Sequence, residues 1–248
     1  MSGRLGRYAL YQAHDYARER GFPLLLVGAL LLLMAAQGAI GPTSAVGTGS
    51  VSVGVTELRT LTLAAVLLEL FAPTAVLIAV NGIISGDRKH HYYRLLFAKP
   101  ISAPRFYAQA FLVSLAGTLV ATLIVLAAFQ LLFGPISLPG ALVFVALYFV
   151  LFGGVGFLLS AITEYDWIAL GAVWSLAWLL RSFFPAGESW YGRAIDLLLP
   201  PLHLLAGAAA PLLGGAGIGR ATQIWVVGYG AAAFAAGLLV VRYRPMAS

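Results

Sequence analysis

The chain has 248 residues, of which 61% are hydrophobic and only 10% are charged. Soluble domains carry about 25% charged residues, so this composition excludes a soluble enzyme, a disordered tail and a nucleic-acid-binding domain, and it indicates an integral membrane protein. Because the chain contains no cysteine, disulfides, thiolate catalysis and iron–sulfur clusters are excluded as well.

The first element in chain order is a predicted amphipathic helix over residues 4–20. Its apolar and aromatic side chains, such as Ala9 and Tyr16, recur on one face, and Tyr11 and His14 share another face with three arginines. Such a helix is expected to lie along the inner membrane surface, where its arginines meet anionic headgroups. The alternative is a cytoplasmic extension of the first span. The predicted surface anchors are Arg4, Arg7 and Arg18.

Six segments are apolar over the ~20 residues that a spanning helix needs. They predict an all-α integral membrane protein with a single transmembrane domain over residues 1–248. The predicted spans are residues 21–40, 58–85, 104–133, 138–162, 167–184 and 222–241.

The basic residues predict the orientation of the chain. With the N-terminus inside, only Arg59, Arg181, Arg193 and Arg220 of the 15 basic residues fall outside. The positive-inside rule therefore places both termini and the loop 86–103 in the cytoplasm, in a plasma (inner) membrane.

Residues 185–221 contain a further apolar stretch that prolines interrupt. Because Pro200, Pro201 and Pro211 disfavour a continuous helix, we expect short outer half-helices or a re-entrant segment here and not a seventh span.

The loop between the second and third predicted spans carries the most informative pattern. Residues 87–98 combine charges, two tyrosines and an apolar patch, and Pro100 follows them and stops a helix. The sequence therefore predicts a short amphipathic helix at the cytoplasmic surface, which offers a partner both charges and apolar anchors.

This loop resembles the first cytoplasmic loop of the permease subunits of type-two ATP-binding-cassette (ABC) exporters. The matching positions are Asp87-Arg88, Arg94-Leu95-Leu96, Pro100-Ile101-Ser102 and Arg105. The resemblance implies a coupling helix that docks on a separate ATPase subunit. The residues it implicates in that contact are Asp87, Arg88, Arg94, Leu95, Leu96, Phe97 and Pro100.

The same resemblance implies partners and a division of labour. Two ATPase subunits would join this chain and a second permease copy or a paralogue. The sequence contains no GxxxxGK[ST] phosphate-binding loop, so ATP and Mg²⁺ are expected on the partner ATPase and no cofactor is expected on this chain.

One acidic side chain falls inside a predicted span. Glu69 precedes Pro73 by four residues, and the proline clashes with the Glu69 carbonyl, so we expect a kink beside a carboxylate. The pair could form a cation or proton site or a hinge, or Glu69 could simply bond to a neighbouring helix. Asn81 is a third candidate for the pathway, although an amide there more often joins helices.

Two other interpretations of the chain stay open at this point. An intramembrane enzyme or redox subunit would use His90, His91, Glu164 and Asp166 at the cytoplasmic face. A scaffold derived from an export permease would bind a membrane partner without transport.

Overall fold

The structure is a computed structural model in which every regular element of the described residues is a helix. The described residues are 2–38, 53–81, 83–84, 86, 102–163, 166–184, 194 and 197–243.

The chain begins with one nearly continuous helical run. A π-helical turn, Ala17–Gly21, joins α1 (Ser2–Tyr16) to α2 (Phe22–Ala36) with no residue outside helical geometry between them. The helices are α1 (Ser2–Tyr16) and α2 (Phe22–Ala36). The helix predicted over residues 4–20 is therefore confirmed as a helix, and it continues without a break into the apolar helix α2.

Three long helical segments form the middle of the bundle. Ser102 is extended before α4 (Ala103–Phe133), and Pro104 occupies the first turn of that helix. At the start of α5 (Leu138–Tyr148) the Ser137 hydroxyl accepts a hydrogen bond from the Gly140 amide. A second π-helical turn, Phe149–Gly153, lies between α5 and α6. The helices are α3 (Val53–Val80), α4 (Ala103–Phe133), α5 (Leu138–Tyr148) and α6 (Gly154–Ile162).

The C-terminal part contains two longer helices and two short ones between them. The Pro-containing segment forms a 3₁₀ turn, Leu202–Leu204, and a five-residue helix, so the prediction of short helices is confirmed for its described part. The helices are α7 (Asp166–Phe183), α8 (Ala209–Leu213) and α9 (Arg220–Tyr243).

Five helical segments of the described residues are long and apolar enough to cross a membrane, so the chain is a multi-pass membrane protein. They are Ala9–Ala36, Leu58–Val80, Ala103–Phe133, Leu138–Ile162 and Arg220–Tyr243. The predicted second span is too long at its end, because α3 stops at Val80 and Asn81 lies in a turn. The predicted span 167–184 is shorter than expected: its apolar helix, Ile168–Phe183, extends only about 24 Å at 1.5 Å per residue.

The core of the bundle is built around α3 and the α5–α6 segment. Leu67, Leu68 and Phe71 of α3 are completely buried. Phe111 of α4 stacks on Phe234 of α9 with ring centroids 4.4 Å apart and meets Phe157 of α6 edge-on. Aromatic packing therefore joins three helices at this point.

Glycines allow α9 to approach the α5–α6 segment at backbone distance. A Cβ at Gly154 would overlap the Gly230 carbonyl, and a Cβ at Gly230 would overlap the Val150 carbonyl. Small residues drive helix association in membranes because lipid tails offer no hydrophobic contrast. Large apolar side chains such as Leu131 and Trp178 remain exposed on the outside of the bundle, as expected for a lipid-facing surface.

Candidate functional site

The structure defines two ends of the bundle by their connections. We call the end where residues 81–102 join α3 to α4 the loop end, and the end where residues 134–137 join α4 to α5 the far end. The predicted docking residues belong to the loop end and lie outside the described residues. They are Asp87, Arg88, Arg94, Leu95, Leu96, Phe97 and Pro100.

The chain leaving α3 is held against the bundle before the loop begins. Ile83 and Ile84 are buried, and the Ile84 amide donates to the Ser160 hydroxyl of α6 at 3.4 Å. On the other side of the loop, Ser102 is exposed and Tyr107 of α4 is completely buried. Both flanks of the loop are thus packed on the core.

Arg20 connects three helical elements at the loop end, although the sequence predicted it only as part of the charge pattern. Arg20, in the first π-helical turn, donates from Nη1 to the Ala79 carbonyl at 2.6 Å and to the Ser114 hydroxyl at 3.4 Å. The Ala79 carbonyl belongs to the last turn of α3, where carbonyls lack partners within the helix. A cation there also complements the negative end of the helix dipole.

The neighbouring contact of the N-terminal helix is also internal. The Tyr16 hydroxyl lies 3.0 Å from the Thr118 hydroxyl, and the Tyr16 ring packs on Gly117 of α4. Of the predicted surface anchors, Arg18 is exposed, whereas the side chains of Arg4 and Arg7 lie outside the described residues. The Tyr16 side of the N-terminal helix thus packs on α4, and the contact of the helix with lipid headgroups stays a prediction.

The predicted intramembrane carboxylate lines a cavity of about 440 Å³. Glu69 enters it from α3, Tyr148 from α5 and Trp174 from α7. Among the described residues the Glu69 carboxylate has no hydrogen-bond or ion-pair partner, and its electrostatic contact is with the Tyr148 phenol. The described residues therefore do not support the alternative in which the Glu69 side chain forms a hydrogen bond or an ion pair with a neighbouring helix.

Two basic side chains line this cavity beside the C-terminal end of α7, and we call this part of the lining the mouth. They are Arg181, in the last turn of α7, and His203, in the 3₁₀ turn. Burial, and after it the positive charge of Arg181, lowers the pKa of His203 below its ordinary value. The imidazole is therefore neutral near pH 7 and Arg181 is the cation at the mouth.

The three residues predicted for a pathway or hinge do not come together. Pro73 lies within α3, which runs through it as a helix, and it is half-buried one turn from Glu69. Asn81 is exposed at the loop end, so the structure separates it from Glu69. The two positions differ by twelve residues, which is roughly 18 Å along a helix.

The site also contains residues that sequence reasoning missed. Arg181 was predicted only as an outer charge and His203 only as part of the outer segment 185–221, and Arg20 and Tyr16 were predicted only as parts of a surface helix. The one signal for Arg20 was its position directly before an apolar run, which forces a charged side chain either to extend to the membrane surface or to find an internal partner.

The described residues contain no cluster of three or more metal-ligating side chains. Of the residues named for an enzyme or redox site, His90, His91 and Glu164 lie outside the described residues, and only the backbone of Asp166 is described, at the start of α7.

Comparison of the chain with protein-family models, with curated proteins and with solved structures finds no match.

Proposed function

We propose that this chain is the transmembrane permease subunit of an ATP-driven ABC exporter. Two ATPase subunits on separate chains would hydrolyse ATP, and a second permease copy or a paralogue would complete the pathway. The observation that carries the proposal is the 87–105 pattern of acidic-basic pair, leucine-rich turn and Pro-Ile-Ser. It stands between two helices whose ends are packed on the core.

The packing around the loop supports a coupling role for it. A force on residues 87–100 would act on α3 through the buried Ile83 and Ile84 and on α4 through Tyr107. Arg20 would spread that force to the N-terminal helix, because its guanidinium contacts both α3 and α4. In such a subunit, nucleotide-driven closure of the ATPases would be transmitted as helix movement.

The same helix connects the loop with the intramembrane carboxylate. Glu69 lies eleven residues before the end of α3, roughly 17 Å along the helix axis. Pro73 lacks an amide hydrogen, so the Glu69 carbonyl has no helical partner at this point and bending is easiest there. Displacement of the loop end would thus open or close the cavity around Glu69.

A six-span topology belongs to this proposal, and chain connectivity supports it. α7 starts at Asp166, shortly after α6 ends at the loop end. The segment that follows α7 packs at the far end, where the Leu212 carbonyl occupies the space of a Cβ at Gly140. α7 would therefore cross the membrane although it is short. Both termini would then lie in the cytoplasm, and the membrane would be the plasma (inner) membrane. The helix 4–20 would be anchored by Arg4, Arg7 and Arg18 on the same side.

Copurification tests the proposal. The tagged chain is extracted in a mild detergent and its partners are identified by mass spectrometry. We expect a stoichiometric partner with a phosphate-binding loop. The proposal is overturned if the chain purifies without a partner from the cells that naturally express it, or if it carries a metal or pigment. The second result would support the enzyme or redox alternative.

A matched pair of variants locates the contact. Leu96→Asp should abolish copurification of the ATPase, because a charge replaces an apolar anchor in the docking patch. Leu198→Asp makes the same chemical change at an exposed position in the segment after α7 and should leave copurification unchanged. Retention of the ATPase by Leu96→Asp would contradict the docking assignment.

A further inference from the structure

The cavity around Glu69 combines features that a structural void does not need. A carboxylate near the middle of a membrane span costs several kcal/mol, so such groups are rare unless they are paired or functional. Among the described residues Glu69 is unpaired and opens into the cavity. A ligand that brings a positive charge would remove this cost.

Aromatic rings stand beside the carboxylate. Phe144 and Tyr148 project from successive turns of α5 with ring centroids 5.8 Å apart, and Trp174 lines the same cavity from α7. Ring faces attract organic cations, most strongly when the site is shielded from water. A carboxylate surrounded by several rings is a set of groups that recognises an alkylated ammonium group.

The mouth of the cavity adds the opposite charge. Arg181 and the hydroxyl of Ser182 lie at the end of α7, one helical turn beyond Trp178. A ligand that also carries an anionic group would be attracted by this arginine. The charges of the site therefore suit a headgroup with its positive end inside and its negative end at the mouth.

The wall of the cavity reaches the outer surface of the bundle at α7. Trp178 is 70% exposed and Leu179 is 47% exposed on the same helix. In a membrane these side chains would meet lipid, so a ligand could extend an apolar tail along α7. The cavity volume of about 440 Å³ lies within the range of small-molecule sites.

We propose that this cavity binds a zwitterionic amphiphile, with its ammonium group against Glu69 and the aromatic rings and its anionic group at Arg181. The inference goes beyond the proposed function, because the purified chain would bind such a molecule without an ATPase. A chain that binds it but captures no ATPase would leave this inference intact and overturn the permease assignment.

Three probes test the proposed ligand site in a detergent with a neutral sugar headgroup. All three carry the same bromoalkyl chain. Their headgroups are phosphocholine, trimethylammonium and phosphate, and binding is followed as quenching of tryptophan fluorescence. We expect saturable quenching with the phosphocholine probe binding tightest. The double variant Trp174→Phe with Trp178→Phe should lose most of the quenching, because those indoles line the cavity.

Charge-neutral variants assign the two ends of the ligand. Glu69→Gln should weaken phosphocholine and trimethylammonium binding at least tenfold and leave phosphate binding unchanged. Arg181→Gln should weaken phosphocholine and phosphate binding and spare trimethylammonium. Arg59→Gln, an exposed arginine outside the cavity, is the matched control and should bind like the wild type.

Two results would overturn the inference. One is that Glu69→Gln, with an unchanged thermal midpoint, binds the phosphocholine probe as the wild type does. The other is that the neutral detergent competes with the phosphocholine probe on equal terms, which would make the cavity a non-selective apolar surface. If Glu69→Gln fails to fold, Glu69→Asp serves instead, and unchanged phosphocholine affinity in that variant and in Arg181→Gln likewise overturns the inference.

Discussion

The guanidinium of Arg20 donates to the Ala79 carbonyl at 2.6 Å, and this bond joins the N-terminal helical run to the last turn of α3. The same nitrogen reaches Ser114 of α4. One side chain thus bridges the two helices that flank the 87–101 loop, at the end of the bundle where the chain leaves α3.

Replacing this arginine should loosen the loop end. Arg20→Gln removes a charge-assisted hydrogen bond of the kind that contributes about 1.5–3 kcal/mol, so we expect a lower thermal midpoint in detergent. Arg18→Gln is the matched control: Arg18 is exposed two residues earlier, and its loss should change stability by less than about 0.5 kcal/mol. Equal midpoints for the two variants would show that the Arg20 bridge does not stabilise the bundle.

The glycine contact between α9 and the α5–α6 segment gives a second prediction. Gly230→Ala places a methyl group against the Val150 carbonyl and the Leu151 Cα, which would lie 2.9 Å away, and overpacking of this kind costs about 1–3 kcal/mol.

Gly228→Ala provides the control on the same helix, because nothing lies within 4 Å of a Cβ there. Its unfolding midpoint should equal or exceed that of the wild type, since alanine favours a helix over glycine. A Gly230→Ala protein as stable as Gly228→Ala would contradict the close approach of the two backbones.

The histidine at the cavity mouth makes stability depend on pH. Because burial and the charge of Arg181 lower the pKa of His203 in the folded protein, the unfolded chain binds more protons when the pH falls below about 6.5. The contribution of neutral His203 is thus complete above that pH and is lost as the pH falls.

Thermal unfolding at pH 7.5, 6.5 and 5.5 measures this effect. His203→Gln should lose part of the acid destabilisation that the wild type shows, whereas His14→Gln, at an exposed position of α1, should follow the wild type. Arg181→Gln should raise the pKa of His203 toward its ordinary value in a ¹³C NMR titration. An unchanged titration in that variant would show that Arg181 does not act on the imidazole.

The absence of cysteine from the chain makes its topology directly measurable. Single cysteines at Ser102, Leu198 and Tyr243 are all at exposed positions. With six spans, a membrane-impermeant thiol reagent applied outside should label only Leu198→Cys. If α7 does not cross, Leu198→Cys is protected and Tyr243→Cys is labelled from outside.

Several features of the fold were predictable because they depend on local apolar length. The 138–162 segment matches its predicted bounds, and the described residues around Pro200, Pro201 and Pro211 form only a 3₁₀ turn and a five-residue helix, as expected. The end of α3 was not predictable to the same degree. Residues 81–85 are apolar enough to continue a span, but Asn81 turns the chain and Ile83 and Ile84 become buried beside α6.

The residues of the candidate site also include some that could be predicted from the sequence and some that could not. Glu69 was identifiable from its charge within an apolar run, since any such charge requires an explanation. Its companions were not identifiable, because Tyr148, Trp174 and Arg181 come from distant positions and look like ordinary span or outer residues. Asn81 was grouped with Glu69 because both are polar residues of one predicted span, and the distance along α3 separates them.

By itself, the sequence determined that this is a helical multi-pass membrane protein, because composition and apolar run length set the cost of leaving the bilayer. It also determined where prolines interrupt that pattern and that Glu69 places a carboxylate within an apolar run. Only the tertiary structure decided which polar groups meet. The pairing of Arg20 with Ala79 and the enclosure of Glu69 by α5 and α7 depend on helix rotation and close packing, and these follow from contacts between segments far apart in the chain.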